Sequence, residues 1–547
     1  MTQTKETTSI HEDNAQAARP FPEPPHHIPF AHKYELEQLV KKMKETMEYK
    51  SVEGNEMEEL IMIDAIQRLG LECYFRDEIF ATLEKWSQMG DDSDVLHDVA
   101  LRFRLLRQAG YDVTAENFGK FKDKDGRYKQ ELSKDVKGLM SLYEASELRI
   151  NGDQILDEAA DFARNMLMGI LRTANKSESV VIRNTLKNPY HKSLPRLTAK
   201  NQLHNFEGHV NGLHECLGRP VWVKEMQDLA RIDHSLAQIQ LQNEICQVSR
   251  WWKEVGMGKI LEHARNQPIK WHMWSWVALT GPDMADLRTE LTKPISFIYV
   301  IDDIFDVYGK PDQLALFTDA VKRWEYQNII GLPDYMKVCL KTLYDTTDEM
   351  SHKIFIRHGW NPKQCFQNAW AELCDAFLVE GKWFAKGHLP TTEEYLKNGI
   401  VSSGVYVVYV TLFSLLGEAI NDHKNMHLLS KSHPQIVHFT GTLLRLWDDL
   451  GSAKDEDQEG HDGSFVACYR NEHHGSSDEN ARECVFKMIS NAWKSLNEEC
   501  LSNSPFSQDF KTAFLNLARM IPIMYNYDDN HRLPNLEKHM KSLLPHE

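Results

Sequence analysis

The sequence predicts an all-α protein of two helical domains, and three observations carry that expectation. From about Lys33 onward, apolar residues recur at three- and four-residue spacing almost without interruption, which is the period of an amphipathic helix. Alternating, strand-like runs are few. A chain of 547 residues exceeds one ordinary hydrophobic core, and 42% hydrophobic residues with 13 Trp are enough to fill two.

Taken in order, residues 1–27 are polar, Pro-rich and acidic (Glu6, Glu12, Asp13, Glu23) with a single Arg, and read as a disordered tail. That composition is a poor organelle transit peptide, so the expected compartment is the cytoplasm. Residues 28–230 form the expected N-terminal helical domain, interrupted by the polar stretch Lys120–Arg127. The breaker Gly218-Arg219-Pro220 puts a junction soon afterwards. Residues 231–547 form the second domain, which opens with a long helix around Asp233 to Val255. Within it, Ser402-Ser403-Gly404 precedes a run dense in β-branched residues and reads as a kink, either an ordinary one or one that frees backbone carbonyls for a cation. The stretch Asp455–Ser477, rich in Asp, Glu, Gly, His and Ser, reads as a mobile loop able to close as a lid, the ordinary alternative being a long disordered connection.

A formal net charge of −17 argues against nucleic acid and anionic membrane as partners. An anionic substrate must then be held through metals and a few placed Arg or Lys. The longest apolar candidate, Val405 to Leu416, falls short of the roughly 20 residues that span a bilayer, so no membrane insertion is expected. The 9 Cys have no CxxC pair and read as free thiols of a reducing compartment. The Asn175-Lys176-Ser177 sequon is then a chance match.

Two acidic clusters carry the chemistry. Asp302-Asp303-Ile304-Phe305-Asp306 follows the apolar run Ile295–Ile301, and Asp448-Asp449 with Ser452 and Glu456 follows Leu443–Trp447. At about 100° per residue, Asp302 and Asp306 share one helix face, with Asp303 turned away and expected to matter less. Asp448, Ser452 and Glu456 form a second ladder about 12 Å long. A solvated helix face is the ordinary alternative. Against it, both helices look buried where the acids begin, and unpaired buried carboxylates cost several kcal/mol each without cations. Hard oxygen ligands suit Mg²⁺ or Mn²⁺. A calcium loop starting at Asp455 fails, because its twelfth position is Val466 where a Glu is needed. Arg265 and Arg445 could donate paired hydrogen bonds to diphosphate oxygens. Trp274 could stabilise a carbocation through its ring face. The ordinary alternatives are a surface Arg and a core Trp. No HExxH, P-loop or GxGxxG string supports a hydrolase, NTPase or dehydrogenase.

From about Ile28 to the C-terminus the chain resembles the plant terpene synthases. The resemblance lies in Leu101–Tyr111, Asp135–Ser146 and Asp153–Ala159 of the first domain, and in the two acidic motifs of the second. It implies a C-terminal domain of the class I terpenoid synthase fold, which alone binds metals and substrate, and a structural, barrel-like helical N-terminal domain. It implies three Mg²⁺ ions, with Mn²⁺ able to substitute: two held by Asp302 and Asp306, the third by Asp448, Ser452 and Glu456. Arg265 and Arg445 would contact diphosphate, and Trp274 and Tyr525 would line the pocket. Many cyclising members carry Arg-x-Arg where this chain has Arg265-Asn266-Gln267, and the tandem-Arg motif of monoterpene cyclases is missing. Both departures are similar to the linalool and nerolidol synthases, which make acyclic alcohols. The expected substrates are geranyl and farnesyl diphosphate, and the expected state is a monomer. The alternatives are a cyclising sesquiterpene synthase, a prenyl-chain-elongating transferase and a non-catalytic helical scaffold. The Asp-x-Asp-Asp acid of protonation-initiated cyclases is absent, the nearest string being Asp92-Ser93-Asp94-Val95.

Overall fold

The computed structural model describes residues 30–53, 56–90, 93–200, 203, 221–260, 265–325, 329–418, 428–429, 433–459, 464–501, 504–528 and 532–544. The tail expected at residues 1–27 lies outside them. The first half holds α1 (Phe30–Glu53), α2 (Glu56–Arg68), α3 (Arg76–Ser87), α4 (Leu96–Gln108), α5 (Val136–Ser146), α6 (Gln154–Ile170) and α7 (Lys176–Lys187). The second opens with α8 (Val221–Glu254), α9 (Pro268–Ala278), α10 (Ala285–Asp303), α11 (Pro311–Arg323), α12 (Asp334–His358) and α13 (Lys363–Lys386). It continues with α14 (Thr392–Ser402), α15 (Val405–Leu415), α16 (Gln435–Glu459), α17 (Phe465–Glu472), α18 (Asp478–Leu501), α19 (Gln508–Met524) and α20 (Pro534–Leu543). Among the described residues the β contact is a single antiparallel bridge, Lys122 to Tyr128. It closes the expected polar stretch, where the Asp123 carboxylate accepts from the N–H groups of Asp125 and Arg127 at 2.9 and 3.0 Å.

Side chains set the helix starts. Asp135 accepts from the Gly138 N–H at 2.8 Å to cap α5, and Asn175 accepts from Glu178 at 2.9 Å to cap α7. The Asn175 of the sequon is therefore a helix cap. Thr391 and Glu394 form a reciprocal capping box at the start of α14. Helix ends at α12 and α13 are closed by Gly359 and Gly387 in the left-handed conformation.

The α8 helix starts earlier than Asp233 and runs through the expected junction at residues 230 and 231. Its first half, from Trp222 to Ala230, packs into the core formed with α1 to α4, and from Ala237 to Trp252 it packs into the large core of the second half. Trp222 Nε1 donates to Glu58 at 2.9 Å in the first core. Elsewhere the halves are joined by buried polar contacts. Asn497 donates to the carbonyls of Glu147 and Arg149 at 3.1 and 2.9 Å and meets His191 at 2.7 Å, while Arg519 donates to the His191 carbonyl at 2.6 Å.

The kink expected at Ser402-Ser403-Gly404 is present. Gly404 has φ +73°, and a Cβ there would lie 2.7 Å from Ile298 Cγ2, so the turn and its approach to α10 both require glycine. Every residue of α15 is buried. Its Val- and Tyr-rich sequence favours a strand intrinsically, and burial on all sides overrides that preference. Taken across the kink, Thr392–Leu415 is long and apolar enough to span a membrane, against the sequence expectation, yet 83% of its most apolar window is buried inside the protein. It is a core element. The described cysteines, from Cys73 to Cys500, are free thiols.

The loop expected at Asp455–Ser477 is overturned in part. Most of Asp455–Ser477 is helix: α16 continues to Glu459, and α17 occupies Phe465–Glu472, capped by Ser464, whose Oγ accepts from Ala467 at 3.4 Å. Residues 460–463 lie outside the described ones. Ser464 and residues 473–477 are the described non-helical part of the stretch.

Candidate functional site

The α9 and α10 helices carry the first group of residues. They are locked together by buried Glu244 of α8, which accepts from Arg288 at 2.6 and 2.9 Å and meets His272 at 2.9 Å. His272 in turn meets Thr292 at 2.8 Å. At Asp303, α10 widens into one π-helical turn, Ile304–Tyr308, closed by the Gly309 N–H on the Ile304 carbonyl at 2.8 Å. A Cβ on Gly309 would lie 2.1 Å from Leu314 Cδ2 and 2.8 Å from the Ile304 carbonyl oxygen, so a side chain there would press on the turn's own backbone. The wider turn moves Asp306 off the line that a continuous α-helix would give it from Asp302. The expected ladder is therefore half α and half π.

Arg265 does not stand free. It donates through its backbone N–H and Nε to Asp303 at 2.8 and 2.6 Å, pairs with Asp302, and lies 5.0 Å over the Tyr299 ring. Burial opposes its charge, but Asp302 and Asp303 outweigh that and raise its pKa. Asp303, 7% exposed, is thus the anchor of Arg265, a contact the helix phase did not show. Helix phase said only which way Asp303 points, and not that Arg265 lies there. Beside it, Asn266 accepts from Trp252 Nε1 at 2.9 Å and ties the segment to α8.

The second group lies on α16, α13 and α14. Arg445 donates to Ser402 Oγ at 2.8 Å and lies 3.6 Å from Glu380 and 3.5 Å from Asp448. Its Nε is buried with no hydrogen-bond partner among the described residues. A Cβ on Gly399 would lie 2.9 Å from Arg445 Cγ, so that glycine makes room for the guanidinium. Glu380 accepts from Ser402 Oγ at 2.7 Å and Asn398 Nδ2 at 3.2 Å. The kink thus supplies the Ser402 hydroxyl as a bridge between Glu380 and Arg445. Asp449 faces inward, accepting from Tyr395 OH at 2.8 Å and the Phe465 N–H at 2.9 Å. Burial pushes its carboxyl up to about 7.

Carboxylates from the two groups act on one another. Desolvation first, then the charges of Asp302 and Glu380, push the Asp306 carboxyl up, with Arg265 and Arg445 opposing. Asp448 is raised by burial, with Arg445 opposing and Asp302 adding to the rise. Among the described residues no three such side chains cage an ion by themselves. Next to them, Trp274, 6% exposed, donates from Nε1 to Tyr299 OH at 3.1 Å, and its ring centroid is 6.5 Å from that of Tyr525. The structure therefore brings Trp274, Tyr525, Arg265, Arg445, Asp302, Asp306 and Asp448 to one region. The α16 backbone carries Ser452 and Glu456 onward along the same helix, and their side chains lie outside those described. Two surface recesses of about 580 and 430 Å³, around Val379 and Trp383, include none of these residues.

Residues 16–188 match the terpene synthase N-terminal domain, and residues 253–495 match the metal binding domain of the terpene synthase family. A probable terpene synthase 13 of Ricinus communis is 51% identical over 89% of this chain and 84% of its own length. The chain belongs to the terpene synthase family. It is 48% identical to an (E)-nerolidol synthase of Cannabis sativa, over 89% of this chain and 88% of that one. It is 46% identical to the chloroplastic S-(+)-linalool synthase of Arabidopsis thaliana, over 89% of this chain and 84% of that one. Isoprene synthase from grey poplar, solved with three Mg²⁺ ions and dimethylallyl-S-thiolodiphosphate, superposes with a TM-score of 0.84 at 32% identity, covering 94% of this chain and 97% of that one. Limonene synthase solved with 2-fluorolinalyl diphosphate gives 0.87 at 28% identity, covering 96% and 98%.

This terpene synthase therefore uses a divalent metal, and its residues fit one. The donor set is all oxygen, its carboxylates repel one another without a cation, and the Arg445 Nε has no hydrogen-bond partner among the described residues. One carboxylate escaped the sequence reading, and a second, Asp303, lay within a recognised motif without its contact to Arg265 being legible. Glu380 left only a weak signal, one acid ending the apolar run Phe377–Val379. Asp303→Asn is expected to weaken substrate binding about tenfold, since a hydrogen bond to a charged group contributes about 1.5–3 kcal/mol. Steady-state KM checks this, and an unchanged KM would contradict the anchoring role.

Proposed function

We propose that this terpene synthase ionises geranyl and farnesyl diphosphate with three Mg²⁺ ions, for which Mn²⁺ can substitute, and that water captures the allylic cation to give linalool and nerolidol. The observation that carries this reading is the carboxylate group of Asp302, Asp306, Glu380 and Asp448 beside the Trp274, Tyr299 and Tyr525 rings, with Arg265 the sole guanidinium of the segment 265–267. The likeness to a nerolidol and a linalool synthase supports it.

In this reading Asp302 and Asp306, with Glu380, hold two ions, and Asp448, Ser452 and Glu456 hold the third. Bound there, the ions neutralise the diphosphate as its C–O bond breaks. Arg265 and Arg445 donate charge-assisted hydrogen bonds to its oxygens. Trp274 and Tyr525 present ring faces to the cation, each such contact contributing up to about 2 kcal/mol where water is excluded. Residues 28–230 are structural and residues 231–547 carry the chemistry, in a cytoplasmic monomer.

Purified protein incubated with geranyl, farnesyl and geranylgeranyl diphosphate plus Mg²⁺, with products resolved by chiral gas chromatography, tests the proposal. Linalool and nerolidol are expected. Predominantly cyclic hydrocarbons would overturn the alcohol assignment, and no product from any of the three would overturn the enzymatic one.

A further inference from the structure

Lys270 is a cation in an unfavourable place. It stands in the first turn of α9, which has no acidic residue there and no side-chain cap from Gln267. The unpaired N–H groups of a helix start already present positive charge, so an ammonium beside them is destabilising unless an anion joins it. Its contacts among the described residues are two aromatic rings, Tyr299 and Tyr527, each centroid 6.0 Å from Nζ. The side chain is half-buried, and burial first and the neighbouring Arg265 second push its pKa down to about 8, with Asp448 opposing. Arg265 lies over the same Tyr299 ring at 5.0 Å. Arg265 has its own carboxylates in Asp302 and Asp303, whereas Lys270 makes no ion pair among the described residues and feels Asp448 only at longer range.

We propose that Lys270 is a diphosphate-binding residue, its ammonium forming one anion cradle with Arg265 and the N-terminal turn of α9. The assignment rests on the prenyl diphosphate reading above and adds to it a cation that neither acidic motif nor guanidinium provides. A compact ammonium on a flexible stem can follow a diphosphate through three donors, and the helix start, whose first residue Pro268 has no N–H, adds those of Ile269 and Lys270.

Isothermal titration with inorganic diphosphate and with farnesyl S-thiolodiphosphate, both in Mg²⁺, tests this directly. Lys270→Met is expected to weaken both about tenfold or more, the scale of one charge-assisted hydrogen bond. Lys270→Arg keeps the charge and should stay within about threefold of wild type. Lys224→Met, which removes an exposed charge at the far end of α8, should bind as wild type. The thermal midpoint of Lys270→Met should not fall, which separates lost binding from lost structure. Binding of both probes by Lys270→Met within about twofold of wild type would overturn the assignment. So would a loss confined to the farnesyl probe, since that puts Lys270 against the hydrocarbon chain. A wild-type protein that turns over no prenyl diphosphate, yet binds inorganic diphosphate through Lys270, would sink the proposed function while leaving this assignment standing.

Discussion

Asp306→Ala is expected to lower turnover at least about 100-fold, because even partners that merely orient a metal ligand are worth 10- to 100-fold. The same substitution should leave the metal-free protein as stable as wild type or more so. Asp306 sits on a π-helical turn where the charges of Asp302 and Glu380 disfavour its ionised form, and it packs no part of the core. Removing one of three mutually repelling carboxylates relieves that repulsion. Activity and thermal midpoint should therefore move in opposite directions, as at sites where function is bought with stability. Turnover within about threefold of wild type would contradict the metal-holding role, which predicts a far larger loss.

Gly451→Ala is expected to be nearly as damaging, by another route. Gly451 lies between Asp448 and Ser452 on α16, and a Cβ there would sit 2.3 Å from the Tyr525 carbonyl oxygen and 3.1 Å from Tyr527 Cδ2. Backbone cannot swing aside as a side-chain tip can. Overpacking of this kind costs about 1–3 kcal/mol, and here it pushes Tyr525 from Trp274 or α16 from its partners. Gly399→Ala meets the flexible Arg445 side chain at 2.9 Å and should cost less stability, acting instead on the guanidinium. Calorimetric midpoints with steady-state rates decide it. Wild-type values for Gly451→Ala would show that the Tyr525–Tyr527 segment does not press on this helix.

What the sequence disclosed and what it hid follow from range. Asp302 and Asp448 were legible because carboxylates after buried apolar runs need cations, a rule that acts within one helix. The kink at Gly404 was legible because the left-handed backbone it needs is a local property of glycine. The partners were not. Glu380 acts on Asp306 and Arg445 from α13, and Asp303 on α10 meets Arg265 in the stretch before α9, pairings that no spacing encodes. The same holds for Gly451, whose role depends on a C-terminal segment crossing it. Composition misled at Asp455–Ser477, where helix occupies much of the polar stretch, and at Thr392–Leu415, where two helices meet at the kink and the apolar one is wholly buried. Helix phase also failed at Asp306, because a π turn carries a different period.

Capture of an allylic cation by water is the centre of the account, and isotope labelling reports on it without inference. Turnover of farnesyl diphosphate with Mg²⁺ in ¹⁸O-enriched water, read by mass spectrometry of the product, should give nerolidol carrying the heavy oxygen in its hydroxyl group. Unlabelled alcohol, or a cyclic hydrocarbon as the main product, would contradict it.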